Sequence, residues 1–148
     1  MSKINCYSPL RTDYYELTMM QGYFKAQRKT RAVFDYFFRR NPFKGAYAIF
    51  AGLDTLLENL EKLRFTEPEL TYLRSLGHFD DDFLEYLSGF RFTGDIFSMP
   101  EGSLAFANEP LLRVEGTLLE TQLIEPMLLN LLNFQTLIAT KTARIVEA

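Results

Sequence analysis

The side chains of this chain best suited to binding a ligand are one tyrosine and four cations. Tyr15 offers a flat ring, and aromatic faces stack on other flat rings. Arg39, Arg40, Lys141 and Arg144 offer positive charge, and a guanidinium can hold a phosphate or carboxylate through two parallel hydrogen bonds. These residue types could together hold a flat ring and an anionic group.

Tyr15 lies in a stretch, residues 12–24, whose apolar residues recur with the period of a helix. Thr12 or Asp13 can cap the first turn, and Asp13 with Glu16 three residues later forms a box-like pair. Tyr15 then lies in the first turn at the edge of the buried side. It is either a core tyrosine with its hydroxyl at the rim or a surface for stacking. Leu17, Met20 and Phe24 form one predicted apolar stripe, and a second stripe beside it consists of Tyr15, Met19, Tyr23 and Ala26.

The two adjacent arginines follow a segment, residues 32–39, that is rich in Val, Phe and Tyr and favours a strand. Neighbouring side chains of a strand point to opposite faces, so we expect one arginine to face solvent and the other a cleft. A turn over 41–45 and a short strand over 46–50 come next, and the two strands could form a hairpin.

Lys141 and Arg144 lie three residues apart, on one side of a helix that begins at about Gln135. They could meet a phosphate or a carboxylate, or Glu147 could hold them in a surface ion pair. The helical pattern reaches Ala148 with no Gly, Asn or Pro to end it, which predicts a chain cut within a helix.

Other residue types that often carry chemistry have simpler explanations here, so we predict no catalytic and no metal-binding residue. Residues 80–82 are acidic and suit the start of a helix, and no calcium-loop spacing follows them. His78 lies in a turn without a second ligand nearby, and Cys6 is a free thiol. The sequence also lacks a phosphate loop of the P-loop type.

Composition limits the class of protein. The 148 residues carry a net charge of −3, which argues against a nucleic-acid partner because binding phosphates requires a basic excess. A single cysteine permits no intrachain disulfide and indicates a reducing, cytoplasmic location. No signal peptide is apparent, and the most apolar window, residues 118–139, contains two glutamates and two asparagines, so we predict no membrane span.

The remaining patterns predict an α+β fold. Helices are expected over 53–63, over 66–76 and from about residue 80, and short strands over 90–99, 103–106 and 111–115 that form a curved antiparallel sheet. Thr66 and Glu69 have the pattern of a capping box at the start of the second of these helices. Thr117 and Glu120 form a capping box for a helix that should kink or restart at Pro126. We divide the chain into an N-terminal domain, 1–116, and helices leading to a further domain, 117–148.

Five blocks of sequence resemble the beginning of the nicotinate phosphoribosyltransferases. The first is their signature TD-x-Y-x-x-T-M, which reads TDYYELTM at 12–19. The other blocks are FDYFFRRNPFKGAYAIFAGL (34–53), FRFTGDIFSMPEGSLAF (90–106), NEPLLRVEG (108–116) and NLLNFQTLIATKTARIVEA (130–148). The resemblance implies the N-terminal α+β domain of a type II phosphoribosyltransferase, leading into an α/β barrel that is mostly missing from this chain.

The family couples nicotinate with phosphoribosyl diphosphate to form nicotinate mononucleotide and diphosphate, with ATP hydrolysis and Mg²⁺, for NAD synthesis. Its catalytic histidine belongs to the barrel, so we expect this chain alone to be inactive. The resemblance implies that Tyr15 stacks on the nicotinate ring and that Arg40 binds diphosphate, while Lys141 and Arg144 are substrate-binding candidates. It also implies a homodimer in which Tyr15 reaches the partner's site.

Two alternatives stay open at this point. A sister enzyme that uses nicotinamide or quinolinate would share these blocks, since base preference resides mainly in the barrel. A chain of this kind could also act only as a dimerisation module without catalysis.

Overall fold

The computed structural model describes residues 7–26 and 30–148, so Cys6 lies outside the described residues. Within these ranges the chain forms five helices and five short strands, with one turn of 3-10 helix at Pro42–Lys44. In chain order they are α1 (Tyr14–Ala26), β1 (Arg31–Tyr36), β2 (Ala48–Ile49), α2 (Leu53–Lys62), α3 (Glu67–Ser75), α4 (Asp81–Ser88), β3 (Asp95–Ser98), β4 (Leu104–Ala105), β5 (Leu112–Thr117) and α5 (Leu118–Val146).

The strands form two separate antiparallel sheets, and this corrects two predictions. One sheet has the order β1-β5-β3, with Val33 opposite Glu115 and Phe97 opposite Arg113, and the other pairs β2 with β4. The hairpin predicted from 32–39 and 46–50 was therefore wrong, as was the single curved sheet. β1 ends at Tyr36, and the chain leaves it through a bend and a 3-10 turn too long for a tight hairpin.

The first helix buries the first of its two predicted apolar stripes, whereas Tyr15, Met19 and Ala26 of the second are exposed. Leu17, Met20 and Phe24 are at most 6% exposed, and the Phe24 ring packs on Phe83 and Tyr86 of α4 with centroid distances of 5.7 and 5.1 Å. Such a stripe stabilises the fold through the area that it removes from water. The helix is thereby fixed against the body of the domain, with its first turn at the surface.

Helix α5 is the central element and packs against α1, α2 and both sheets. It begins with the predicted capping box, in which Glu120 accepts hydrogen bonds from the backbone N–H and hydroxyl groups of Thr117 and Thr93. Burial alone would raise the pKa of Glu120, but these hydrogen bonds outweigh it and lower the pKa. The start of α5 is thus anchored to the loop before β3.

The helix then continues through Pro126 to Val146, so it does not restart at the proline, and the separate helix predicted from Gln135 was wrong. The alternative, a kink at Pro126, stays a prediction. Proline removes one backbone hydrogen bond of the helix. Buried residues before and after the proline, such as Ile124 and Met127, pack this part of the helix into the core. This packing compensates for the missing hydrogen bond. One uninterrupted helix therefore carries Gln122, Glu125, Asn130, Asn133, Lys141 and Arg144.

The helices predicted over 53–63, over 66–76 and from residue 80 are confirmed as α2, α3 and α4. Thr66 and Glu69 form the expected capping box of α3, and Gly77 follows that helix with a φ of +68°. The described part of the chain has no helix long and apolar enough to cross a membrane and no acidic or histidine cluster suited to a metal ion. The division at residue 116 remains a prediction.

Candidate functional site

Two neighbouring cavities open along α5. They share Leu129 and Asn130 of that helix, and each contains one of the four residues predicted to bind substrate. The first, the Tyr15 cavity, has a volume of about 410 Å³ and is lined by Arg11, Thr12, Asp13, Tyr15, Glu16, Glu125, Pro126, Leu129 and Asn130. The second, the Arg40 cavity, has a volume of about 460 Å³ and is lined by Phe38, Arg40, Pro42, Leu129, Asn130, Asn133, Phe134, Thr136 and Leu137.

The Tyr15 cavity lies where the first turn of α1 crosses α5. The Tyr15 side chain is 55% exposed, so its ring is presented at the surface and is not a core residue. Its neighbour Glu16 is only 2% exposed, and its carboxyl accepts a hydrogen bond from Nε2 of Gln122 on α5. The box-like pair predicted between Asp13 and Glu16 does not form, because Glu16 turns inward to Gln122.

Acidic groups dominate the Tyr15 cavity. A hydrogen bond to Glu16, followed by the charge of that residue, raises the pKa of the Tyr15 hydroxyl. Burial raises the pKa of Glu125, and the nearby Glu16 raises it further. Arg11 is the cation among the residues that line this cavity, against three acidic side chains that include Asp13. An anion would gain little from entering such a site.

The Arg40 cavity has the opposite character. Its lining combines apolar side chains with the neutral polar side chains of Asn130, Asn133 and Thr136, and Arg40 is the charged side chain among the residues that line it. Asn133 also lines the cavity, and its Oδ1 is held by a 2.8 Å hydrogen bond from the hydroxyl of Tyr36. Arg40 lies in a bend beyond β1, so the strand alternation predicted for Arg39 and Arg40 does not apply: both are exposed, and only Arg40 lines the cavity.

Beyond this cavity, Arg144 is bound to the turn that follows Arg40. Its Cζ lies 5.4 Å from the ring centre of Phe43 and 5.9 Å from that of Tyr47, and its Nη2 donates to the Tyr47 carbonyl oxygen at 3.2 Å. Phe43 and Lys44 both have left-handed backbones, with φ of 56° and 54°, a conformation that costs about 1–2 kcal/mol per residue. The cation and the two rings help to offset that strain.

Among residues 7–26 and 30–148, neither Lys141 nor Arg144 forms the ion pair with Glu147 that the sequence allowed. Glu147 instead lies 3.4 Å from the hydroxyl of Tyr47, which donates to it. Lys141 is exposed on the same helix. Neither Lys141 nor Arg144 lines the Arg40 cavity.

Comparison with known proteins decides the family. The model of the nicotinate phosphoribosyltransferase N-terminal domain matches residues 10–133, which is most of the chain. The chain belongs to this family.

Individual relatives agree with this assignment. A nicotinate phosphoribosyltransferase of Bacillus subtilis is 50% identical over 137 residues, which are 92% of this chain and 28% of that protein. Nicotinate phosphoribosyltransferase pncB2 of Mycobacterium tuberculosis is 45% identical over 139 residues, 94% of this chain and 30% of that protein. The chain therefore spans about 30% of the length of the curated relatives that it matches.

A solved structure of human nicotinic acid phosphoribosyltransferase superimposes with a TM-score of 0.83 and 41% sequence identity, covering 90% of this chain and 27% of the human one. Its fold over this region is thus the fold described above. The predicted N-terminal α+β domain of a phosphoribosyltransferase is confirmed.

The structure of this family member also brings in residues that sequence reasoning missed. Glu16 is four residues before Met20, which placed it on the buried stripe of α1, and its burial could have been recognised from that spacing. Gln122 and Asn133 are polar residues within the most apolar window, where a polar side chain needs a partner. Their partners come from α1 and β1, and no pattern in the sequence indicated that pairing.

Proposed function

We propose that this chain is the N-terminal domain of an enzyme that transfers a phosphoribosyl group to nicotinate. The donor is phosphoribosyl diphosphate, and the products are nicotinate mononucleotide and diphosphate, with coupled ATP hydrolysis, in the cytoplasmic synthesis of NAD from nicotinate. The observation that carries this proposal is the family match over residues 10–133 together with 45–50% identity to two bacterial relatives of that name.

The family resemblance implies Mg²⁺ and ATP, and we propose that both bind in the portion of the family enzymes that this chain does not span. This proposal agrees with the residues that the structure describes, among which no group of three His, Cys, Asp or Glu side chains is placed to hold a metal ion. What this domain contributes is binding surface, carried by Tyr15, Arg40, Lys141 and Arg144.

Arg40 is proposed to bind the diphosphate group. It is exposed and lines the cavity, so its guanidinium is accessible to an anion that enters, and it is the charged side chain among the lining residues. A charge-assisted pair of hydrogen bonds to two phosphate oxygens suits its fork. Lys141 and Arg144 extend the positive region along α5 beyond the cavity.

Tyr15 is proposed to stack on the nicotinate ring in the site of a partner subunit. Its ring is exposed, but Asp13, Glu16 and Glu125 line the cavity beside it and would repel the carboxylate of nicotinate. The ring can serve an anionic substrate only where other elements supply the cations. A two-fold homodimer meets this need, because each subunit would present its tyrosine to the other.

A fusion enzyme tests the proposed function. This chain replaces the matched 137 residues of the Bacillus subtilis relative, whose remaining sequence follows it. We expect the purified fusion to form nicotinate mononucleotide from nicotinate and phosphoribosyl diphosphate, and the isolated 148-residue chain to form none. Competition with nicotinamide and quinolinate establishes the base preference. A folded, dimeric fusion without any transferase activity would contradict the proposal and favour a dimerisation module.

A further inference from the structure

The guanidinium of Arg144 fills the space that a side chain at Gly45 would need. A Cβ atom added at Gly45 would overlap Nη2 of Arg144 and would lie 2.6 Å from its Cζ. The backbone of Gly45 has a φ of −85° and a ψ of 171°, an extended conformation that any residue adopts. Glycine is therefore required here for space and not for backbone conformation.

The rest of the turn closes around the same cation. The rings of Phe43 and Tyr47 lie within 6 Å of Cζ, and the Tyr47 carbonyl oxygen accepts a hydrogen bond from Nη2. The side chain of Asn41 donates to the carbonyl oxygen of Ala46 at 2.6 Å and closes the loop across its base. Four backbone and side-chain features of one turn thus converge on the end of one arginine.

This enclosure leaves most of the guanidinium available. An arginine has five N–H donors, and among the described residues Arg144 donates to one acceptor, the carbonyl oxygen of Tyr47. A free arginine near the exposed end of a helix would sample many rotamers, and ordering it upon binding would reduce the affinity for a ligand. Here the protein has already ordered the side chain.

We propose that the turn from Phe43 to Tyr47 is a positioning device for Arg144, with Gly45 as the residue that makes room for it. The turn fixes the guanidinium so that its remaining donors face an anionic group of the substrate, either a carboxylate or a phosphate. This inference rests on the proposed function of Arg144 in substrate binding. Phe43, Gly45 and Tyr47 act through Arg144 and do not themselves touch the substrate.

Gly45→Ala separates positioning from folding. The atoms that a methyl group would displace are the far end of a flexible side chain, so the guanidinium can move away while the backbone keeps its conformation. The matched control is Gly89→Ala at the end of α4, where the added Cβ would lie at an ordinary 3.8 Å from the Tyr86 carbonyl oxygen. Gly89→Ala should melt within about two degrees of the wild type, and Gly45→Ala should stay folded with a modest loss of stability, since it removes the contacts of Arg144 with the turn but introduces no buried defect.

Nuclear magnetic resonance of the 148-residue chain observes the arginine directly. The Nε–H signal of Arg144 should be ordered and shifted by the two rings in the wild type and in Gly89→Ala. In Gly45→Ala it should move to the position typical of a mobile, solvated arginine. An unchanged Arg144 signal in Gly45→Ala would overturn the proposal.

A double-mutant cycle in the fusion enzyme then tests whether the position matters for binding. Gly45→Ala should raise the KM for nicotinate or for phosphoribosyl diphosphate about tenfold with kcat within about twofold. The substrate whose KM changes identifies the anion as carboxylate or phosphate. In an Arg144→Ala background the same substitution should change KM less than about twofold, since no guanidinium remains to be displaced.

An equal effect of Gly45→Ala in both backgrounds would show that it acts through the fold, and an unchanged KM in the wild-type background would show that the position of Arg144 is irrelevant. Either result overturns the inference.

An inactive fusion counts against the proposed function alone. In that case, titration of the chain with nicotinate and inorganic diphosphate decides: a shift of the Arg144 signal that is weaker in Gly45→Ala supports positioning, and no shift overturns it.

Discussion

The two cavities of α5 are similar in size and opposite in charge. The Tyr15 cavity presents an exposed aromatic ring above three acidic side chains, whereas the Arg40 cavity places one guanidinium among apolar and neutral polar side chains. Both are built on the same turn of α5, through Leu129 and Asn130. One cavity therefore offers a partner for an aromatic ring, and the other offers a cation for an anionic group.

This difference indicates that neither cavity of the chain is a complete site. The acidic groups beside Tyr15 disfavour an anion in this cavity. The Tyr15 ring can therefore contact an anionic substrate only in a site whose cations come from other elements. The Arg40 cavity supplies a cation but also exposes Phe134, at 65%, and Leu137, at 40%. We interpret the pair as two half-sites, each completed by other elements of the enzyme.

The largest effect is expected from removing the ring. In the fusion enzyme, Tyr15→Ala should lower kcat/KM by about a hundredfold, while Tyr15→Phe should stay within about threefold because stacking uses the ring and not the hydroxyl. We expect a mixture of Tyr15→Ala with a variant lacking the family's catalytic histidine to recover about a quarter of the wild-type activity. Random exchange makes half of the dimers mixed, and each mixed dimer has one whole site of two.

Subunit exchange is verified by differential tags on the two variants. Persistent inactivity of a mixture shown to contain heterodimers would place Tyr15 in the site of its own chain. The two cavities would then have to cooperate within one subunit, and the contrast in charge would need another explanation.

A smaller effect is expected from removing the cation. Arg40→Ala in the fusion should raise the KM for phosphoribosyl diphosphate about ten- to a hundredfold, since one charge-assisted contact contributes roughly 1.5–3 kcal/mol. Arg39→Ala is the matched control, because Arg39 is adjacent and exposed but does not line the cavity. Equal KM values for the two variants would show that Arg40 is a solvated surface charge with no role in binding. The Arg40 cavity would then have no assigned function.

How far the sequence predicted these regions depended on whether the information was local. Capping boxes at Thr66 and Thr117 and the first apolar stripe of α1 follow from residues within two turns of one another, and all three were confirmed. The sheet partners of β1 and β2 depend on contacts far apart in sequence, and the local prediction of a hairpin failed. The prediction of a separate helix from Gln135 failed for the same reason, since packing and not local propensity decides α5.

The candidate site shows the same division. Tyr15 and Arg40 could be selected through the family resemblance, and the structure adds the two cavities in which they lie. The acidic surroundings of Tyr15 arise where the start of α1 meets Glu125, more than a hundred residues later. No periodicity or spacing contains such a contact, so the contrast between the cavities was not predictable from the sequence.

The support of the Tyr15 cavity can be weakened without touching its surface. Gln122→Leu leaves an apolar side chain at this buried position of α5 but removes the amide that donates to the buried Glu16. An acidic side chain left without that partner costs about 1–3 kcal/mol, so the free energy of unfolding measured in urea should fall by this amount. Gln135→Leu makes the same change on the same helix at a half-buried site and serves as control. Equal losses for both variants would mean that the Glu16 contact is not what secures this cavity.

The smallest effect tests whether the acidic groups of the Tyr15 cavity oppose folding. The pKa of Glu125 is raised from its ordinary value of 4.5 by burial and then by Glu16. A carboxyl group with a raised folded-state pKa destabilises the protein wherever it is ionised, and this cost is relieved as the pH falls through the folded pKa toward the unfolded one.

Glu125→Gln should therefore stabilise the chain at pH 7 by a few tenths of a kcal/mol. The gain should vanish at about pH 4, where Glu125 is protonated in both states. Thermal melts of wild type and variant at the two pH values measure it, with the exposed Glu109→Gln as control. A gain that is the same at both values would come from packing, and a loss at pH 7 would show that the charge of Glu125 is used in the fold and does not merely burden it.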